Sequence, residues 1–378
     1  MKKCVIIPDS FKGSLDSIEI CDLAGAKVKA FFPDCEVVTL PVADGGEGTV
    51  ECFLHAMPGE RVTVQVHGPF MEPVESFYGR FGDLAVVEMA AAAGLPMVEN
   101  RKNPLKATTY GVGELILHAV QHGARRVILG LGGSCTNDGG CGCAAALGAR
   151  FLDQEGRAFI PAGGTLCDIA SIDLSGAKRN LEGVELTAMC DIENPMHGTT
   201  GAAYIFGPQK GADEEMVRLL DNQLKQLDKV IQRELGLQVA GLAGAGAAGA
   251  LGAGVVAFLG GSLKSGIETV LDIVEFDKVI QGADAVFTGE GKIDGQSLRG
   301  KVVIGVSRRA MKQEVPVYAI VGDVGDDAAG AYQLGVTAIF SINRVAVPFS
   351  VARTRSKRDF ESTFEDVMRL MRAVEARR

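Results

Sequence analysis

CVIIPDSFKGSLDS, residues 4–17, sets the frame for the whole chain. The apolar run CVII (4–7) reads as a buried strand that ends at Pro8 and Asp9. Helical spacing then begins: Leu15, Ile18, Cys21, Ala24, Val28 and Phe31 share one face of a helix over about 15–32. Ser14 suits its N-cap, with Asp16 and Glu19 early and Lys27 and Lys29 late, as the helix dipole favours. Pro33 closes the helix, and CEVVTLPV (35–42) follows as a second strand that ends in ADGGEGT (43–49). Lys12 therefore stands in a loop of small residues between a strand and a helix, a position that suits an anion.

The C-terminal part repeats the rhythm. DAVFTG (284–289), VPVYAIVG (315–322) and VTAIFSI (336–342) read as strands, and GKVVIGVSRRAM (300–311) and DDAAGAYQLG (326–335) as helices. Residues 360–374 form a closing helix with Phe360, Phe364, Val367, Met371 and Val374 on one face, after a solvated turn RTRSKR (353–358). Strand–helix alternation predicts parallel βαβ units. The middle differs: VTVQV (62–66), EPVESFYG (72–79) and DLAVVEMA (83–90) read as an antiparallel meander. A helix (108–122), a strand (126–131), a helix (about 139–149), strands near 184–190 and 202–206 and a helix (213–235) follow. The expected fold is α/β in two domains: one from both chain ends, 1–55 and 270–378, and a mixed α/β domain inserted over 56–269.

Composition narrows the function. A net charge of −9 argues against a nucleic-acid binder. Nine cysteines with no CxxC pair, and five histidines with no HExxH, argue against a disulfide scaffold and a zinc site and favour a reducing cytoplasm. The uncharged stretch 239–263 is mostly Gly and Ala, which gain little from lipid, so it reads as a buried, tightly packed element and not a membrane span.

The 49 glycines are about twice the usual fraction of roughly 7% and cluster in four loops: DGGEGT (44–49), GLGGSCTNDGG (130–140), GAGAAGALGAG (244–254) and TGEGKIDGQ (288–296). Glycine lets backbone N–H groups approach an anion closely. No Walker-type GxxxxGK-S/T and none of the protein-kinase motifs occurs. GAGAAG matches GxGxxG but lacks the preceding strand that a dinucleotide site needs. Asp44, Glu47, Asp138, Asp191, Glu193, Glu290 and Asp294 lie in or beside these or strand-end loops, with Lys12, Lys210, Lys292 and Lys301. Carboxylates beside phosphate-type loops favour Mg²⁺, and lysines with backbone donors suit phosphoryl transfer from ATP.

In this order, PDSFKGSL, LPVADGGEGTV, NPLKATTYGVGELI, LGLGGSCTNDGG, DIENPM, FGPQKGA, GAGAAGALG and TGEGKIDGQ resemble the bacterial glycerate kinases of glyoxylate and glucarate catabolism, from about residue 3 to 345. The resemblance implies two α/β domains, one Rossmann-like and one inserted, and phosphorylation of D-glycerate by ATP, mostly to 2-phosphoglycerate. The 3-phosphoglycerate isomer is the alternative product, and a cytoplasmic monomer or homodimer is expected. Cys135 and Ala250 stand where this family commonly has alanine and glycine, and Cys135 is a point of possible oxidation.

On this reading both substrates occupy a cleft between the domains. Lys12 meets a transferring phosphate or the glycerate carboxylate. Asp191 accepts the hydroxyl proton, with Asp44 as its competitor. Glu290 and Asp294 hold Mg²⁺ or the nucleotide ribose. Ser134, Thr136 and Asn137 donate to phosphate or substrate hydroxyls, and Lys301 starts a helix near the phosphates. Ser10, Ser14, Gly45, Gly46, Glu47, Gly133, Lys210 and Gly246 complete the binding set. Two rivals remain: an NAD-dependent hydroxyacid dehydrogenase, which needs a coherent dinucleotide fingerprint, and a non-enzymatic sugar-acid-binding protein, which needs fewer loop carboxylates.

Overall fold

Short apolar runs bounded by Gly, Pro and Asp become the strands of two principal sheets. The computed structural model describes residues 1–43 and 45–377. They pack as two units, the first from 1–43, 55–57 and 267–377 and the second from 45–54 and 58–266.

The first unit holds an all-parallel, Rossmann-like sheet of five strands, in the order Val336–Ser341, Val317–Val321, Ala285–Gly289, Lys3–Pro8, Glu36–Thr39. The chain builds to one side of the first strand and then returns to build on the other. The order therefore reverses between Lys3–Pro8 and Ala285–Gly289, where Pro8 pairs with Gly289. In such sheets ligands bind outside the carboxyl ends of the strands at this switch. Both central strands are buried along almost their whole length, which is why they read as unbroken apolar runs.

Helix Ser17–Phe31 buries Ile20, Cys21, Ala24 and Val28. Its N-cap is Asp16, which accepts from the Glu19 N–H at 2.7 Å. Ser14, expected as the cap, instead donates to the Phe11 carbonyl at 3.0 Å. The closing helix runs Ser356–Glu375 and buries Phe360, Phe364 and Val367, each phenylalanine contributing roughly 1.5–3 kcal/mol. Phe364 packs on Phe287 of the sheet at 5.0 Å between centroids, and Phe360 meets Phe11 edge-on at 6.2 Å. Val374, placed on the same face by spacing, is exposed in the last turn. Most of RTRSKR is tied down: Arg355 pairs with Asp359 and Lys357 with Glu19.

The second unit holds a six-stranded mixed sheet in the order Ser262–Lys264, Glu185–Met189, Arg126–Gly130, Leu84–Glu88, Pro73–Phe81, Glu60–His67. The first four are parallel and the last two complete the antiparallel meander. The segment 202–206, expected as a strand, is the short helix Ala202–Phe206, packed on helices Glu214–Leu235 and Ala247–Leu259. An apolar run of five residues has no period long enough to separate the two states.

The uncharged stretch forms helix Ala247–Leu259, buried at all but one of its positions, and among the described residues no helix is long and apolar enough to cross a membrane. Its first turn is left-handed at Ala248, Gly249 and Ala250. This twist lays Gly249 against the 136–139 loop: the Gly139 N–H donates to the Gly249 carbonyl at 3.0 Å, and a Cβ on Gly249 would sit 2.0 Å from the Thr136 carbonyl oxygen. Gly249→Ala is expected to cost about 3 kcal/mol, from left-handed strain and from a backbone clash that no side chain can relieve. Gly241→Ala, at an open position with ordinary φ, should stay within about 0.5 kcal/mol of the parent. Urea unfolding of the two variants measures the contrast; equal stabilities would show that the contact carries no weight.

Candidate active site

The strand tips of the first unit gather one set of predicted residues. Past Pro8 the chain turns through Asp9, whose N–H donates to the Gly289 carbonyl at 2.9 Å and whose carboxylate accepts from the Ser10 N–H at 2.7 Å. Buried Phe11 anchors the loop and leaves Lys12 exposed beside it. Past Gly289, Glu290 is 4% exposed, and its Oε1 has no hydrogen-bond partner among the described residues. Burial pushes its carboxyl up to about 7; a hydrogen bond with Ser297 and the Lys301 ammonium pull the other way, and the charges of Asp9 and Asp294 add to the rise. Lys301 is exposed and is the N-cap residue of helix Val302–Met311. Asp294 is engaged in its own turn: Oδ1 accepts from the Gln296 N–H at 3.0 Å, and Oδ2 lies 3.7 Å from the Lys292 ammonium.

The second unit builds its set on the carboxyl ends of Leu84–Glu88, Arg126–Gly130 and Glu185–Met189. Lys210, in the turn Pro208–Lys210, is 1% exposed and donates to Ser134 Oγ at 2.7 Å and to the Thr136 carbonyl at 2.6 Å. Burial drops its ammonium to about 8, with Cys135 and Asp138 opposing the fall. Thr136 Oγ1 and both amide atoms of Asn137 are buried with no hydrogen-bond partner among the described residues. Asp138, next in the loop, accepts from Thr108, Thr109, Gly140 and Gly142 and so fixes the loop's path. A buried cation held only by neutral acceptors, beside unsatisfied polar atoms, is an arrangement suited to an anionic ligand.

Glycine fixes the neighbouring loops. Gly45, at φ +82°, packs against Met189 and Gly130, and the Gly132 N–H donates to its carbonyl at 3.0 Å. The 45–49 loop, expected with the chain-end domain, thus belongs to the second unit; Gly46 touches Gly132, and Glu47 is exposed. Asp44 lies outside the described residues. Gly246 donates its N–H to the Asn194 carbonyl at 2.9 Å, and Gly133 accepts from the Leu95 N–H at 2.8 Å. Asp191 is exposed, and its Oδ1 accepts from the Gly266 N–H at 2.8 Å and Ser265 Oγ at 3.2 Å, so a capping duty accompanies any chemistry there. Cys135 is buried and its thiol is pushed up to about 12 by that burial, which works against the oxidation expected there.

Sequence reasoning passed over Glu88 and Asp9. Glu88 is 3% exposed and accepts from the Val50 N–H at 2.7 Å, tying the start of helix Thr49–Ala56 to the sheet. Burial raises its carboxyl against the pull of the Val50 and Gly48 amides. The signal was present: a lone acid ends the apolar strand LAVVE. Asp9 lay inside the opening stretch, read there only as a strand terminator.

The chain matches the Glycerate kinase family over residues 4–372. It is 46% identical to a glycerate kinase from Bacillus cereus, covering 97% of each chain. It is 45% identical to glycerate 2-kinase from Escherichia coli, covering 90% of each. A solved structure from Salmonella typhimurium LT2, carrying the name glycerate kinase 2, superposes with a TM-score of 0.87 at 40% identity over 99% of both chains. With a family match across nearly the whole chain and relatives this close, the protein belongs to the glycerate kinase family and is an ATP-using kinase.

Proposed function

We propose that this chain transfers the terminal phosphoryl group of ATP to the 2-hydroxyl of D-glycerate, with Mg²⁺ as cofactor, in the cytoplasm. The observation that carries the choice of hydroxyl is the 45% identity, over 90% of both chains, to a relative named glycerate 2-kinase. Lys210 binds an anionic group of substrate or nucleotide, oriented by Ser134 and Thr136, with Asn137 donating alongside. Lys12 and Lys301 serve phosphate oxygens from their loops. Asp191 accepts the hydroxyl proton; the loose transition state of phosphoryl transfer asks little more of a base.

The residues of the first unit fit a hard cation. Glu290 presents a buried carboxylate oxygen with no donor on it, and Mg²⁺ takes one or two carboxylates and completes its shell with water and phosphate oxygens. When bound, the ion neutralises charge on the β- and γ-phosphates.

Product identity is tested by coupling the reaction straight to enolase. The 2-isomer is dehydrated at once, so absorbance of the enol phosphate should rise without added mutase; a signal that appears only with mutase assigns the 3-hydroxyl instead. Asp191→Asn should lower kcat more than it raises KM, the mark of a group used in the transition state. An unchanged kcat excludes it as the base.

Lys210 gives the reaction a pH signature. Anion binding needs the ammonium, so affinity for the ligand whose anionic group Lys210 holds should fall as pH rises through about 8. The contribution to folding has the opposite sign. Between that value and the ordinary lysine value of about 10.4 the unfolded chain holds the proton more tightly, so this group's penalty fades and stability rises with pH. Lys210→Met should flatten both trends, as read by calorimetric titration of glycerate and of nucleotide and by thermal melting across pH 7–10. A variant that keeps the parent's alkaline loss of affinity would take Lys210 out of the anion site.

A further inference from the structure

We propose that Asp9 and Glu290 together form a divalent-cation site at the switch point of the parallel sheet, with Asp9 in the place that loop spacing gave to Asp294. The inference rests on the phosphotransfer reading only for the use to which the cation is put.

Topology brings the two carboxylates together. Pro8 and Gly289 are register partners on adjacent strands, and the next residue on each strand is the acid in question. The Asp9 N–H closes onto the Gly289 carbonyl at 2.9 Å, which extends the ladder by one bond and fixes the first acid beside the second. Neighbouring strands lie about 4.8 Å apart, and an ion with oxygen bonds of about 2.1 Å bridges carboxylates that project from such adjacent tips. The backbone beyond is held as well: the Gly322 N–H donates to the Glu290 carbonyl at 3.1 Å, so the acid sits on a braced turn.

Glu290 supplies the second, independent sign of a ligand. Its side chain is almost wholly buried, yet Oε1 receives no hydrogen bond from the described residues. Buried acceptors normally find donors. A carboxylate oxygen kept bare in this setting is what an incoming cation requires. Asp294 lacks this character, since its oxygens are engaged by Gln296 and face Lys292. The donors are hard oxygens, which favour Mg²⁺ or Mn²⁺ over softer metals.

Mn²⁺ binding to the full, nucleotide-free protein, followed by electron paramagnetic resonance, tests the assignment. The parent should take up one Mn²⁺ saturably, displaced by Mg²⁺. Asp9→Asn and Glu290→Gln should each weaken it by at least ~10-fold, the scale on which metal sites respond to lost partners. Asp294→Asn should stay within about twofold, below the factor that counts as a lost contact. Thermal melting checks that each variant is folded; should Glu290→Gln fail to fold, Asp9→Asn decides alone. Absence of saturable Mn²⁺ uptake by the parent, parental affinity in Asp9→Asn, or an equal loss in Asp294→Asn would overturn the site. Glycerate-dependent ADP release by the same preparation separates the two readings. Turnover without Mn²⁺ binding at this pair removes the inference alone, and Mn²⁺ binding without turnover removes the substrate alone.

Discussion

Backbone packed directly on backbone is the constraint from which the second unit's polar centre follows. A Cβ on Gly130 would lie 2.3 Å from the Gly45 carbonyl oxygen, one on Gly132 2.5 Å from Gly46 Cα, and one on Gly254 2.4 Å from the Gly139 carbonyl oxygen. Three glycine-rich segments, distant in sequence, therefore meet with no side chain between them. The candidate side chains Ser134 and Thr136 lie between these contacts, so each inherits a fixed position. Ser134 and Thr136 fall between Gly132 and the Thr136–Gly249 contact, and both meet the Lys210 ammonium. The arrangement carries strain: Ala248 and Ala250 adopt left-handed φ of 54° and 68°, at roughly 1–2 kcal/mol each for a residue with a Cβ. Ala250 is thus a departure from glycine that is small in volume but not in conformation.

The first unit reaches its site by another route. There the glycines matter less than strand order. A parallel sheet whose order reverses once leaves a crevice beyond two neighbouring strand tips, and the loops after Lys3–Pro8 and Ala285–Gly289 fill it with Asp9, Lys12 and Glu290. Both strands are buried up to those tips. The opening stretch of sequence supplies one loop of this crevice. Its counterpart is some 280 residues on, at the mirror position one residue past the paired strand, and only the sheet joins them.

Much of this was legible. Strand–helix alternation at both chain ends, the antiparallel meander and the long helix Glu214–Leu235 follow from periodicity, because each element is long enough or repeated enough for its period to show. The loops that bear Lys12, Ser134, Lys210 and Glu290 were legible as glycine-rich or lysine-bearing turns after strands. What failed to show was whatever depends on long-range contact. Residues 202–206 are a helix because neighbouring helices cover Ala202 and Ala203. Asp16 displaces Ser14 as the cap because Phe11 folds back on Leu15 and draws Ser14 to its carbonyl. Segment 45–54 leaves the chain-end unit because Glu88 and Gly130, remote in sequence, hold it. Cys135 is buried, which a loop motif does not reveal.

Both polar centres share an energetic logic. Lys210 is a cation in an almost dry setting with only neutral acceptors, and Glu290 is an acid there with a bare oxygen. Each displaces its own proton affinity toward the neutral form, down to about 8 for the one and up to about 7 for the other. Neither arrangement favours the empty fold, since desolvation of a charge is only partly offset by neutral partners. Either becomes favourable once an opposite charge arrives, because attraction in low dielectric is strong and the groups need no reorganisation to receive it. Stability withheld at each centre would thereby be returned as affinity for a ligand of the opposite sign, an anion at Lys210 and a cation at Glu290.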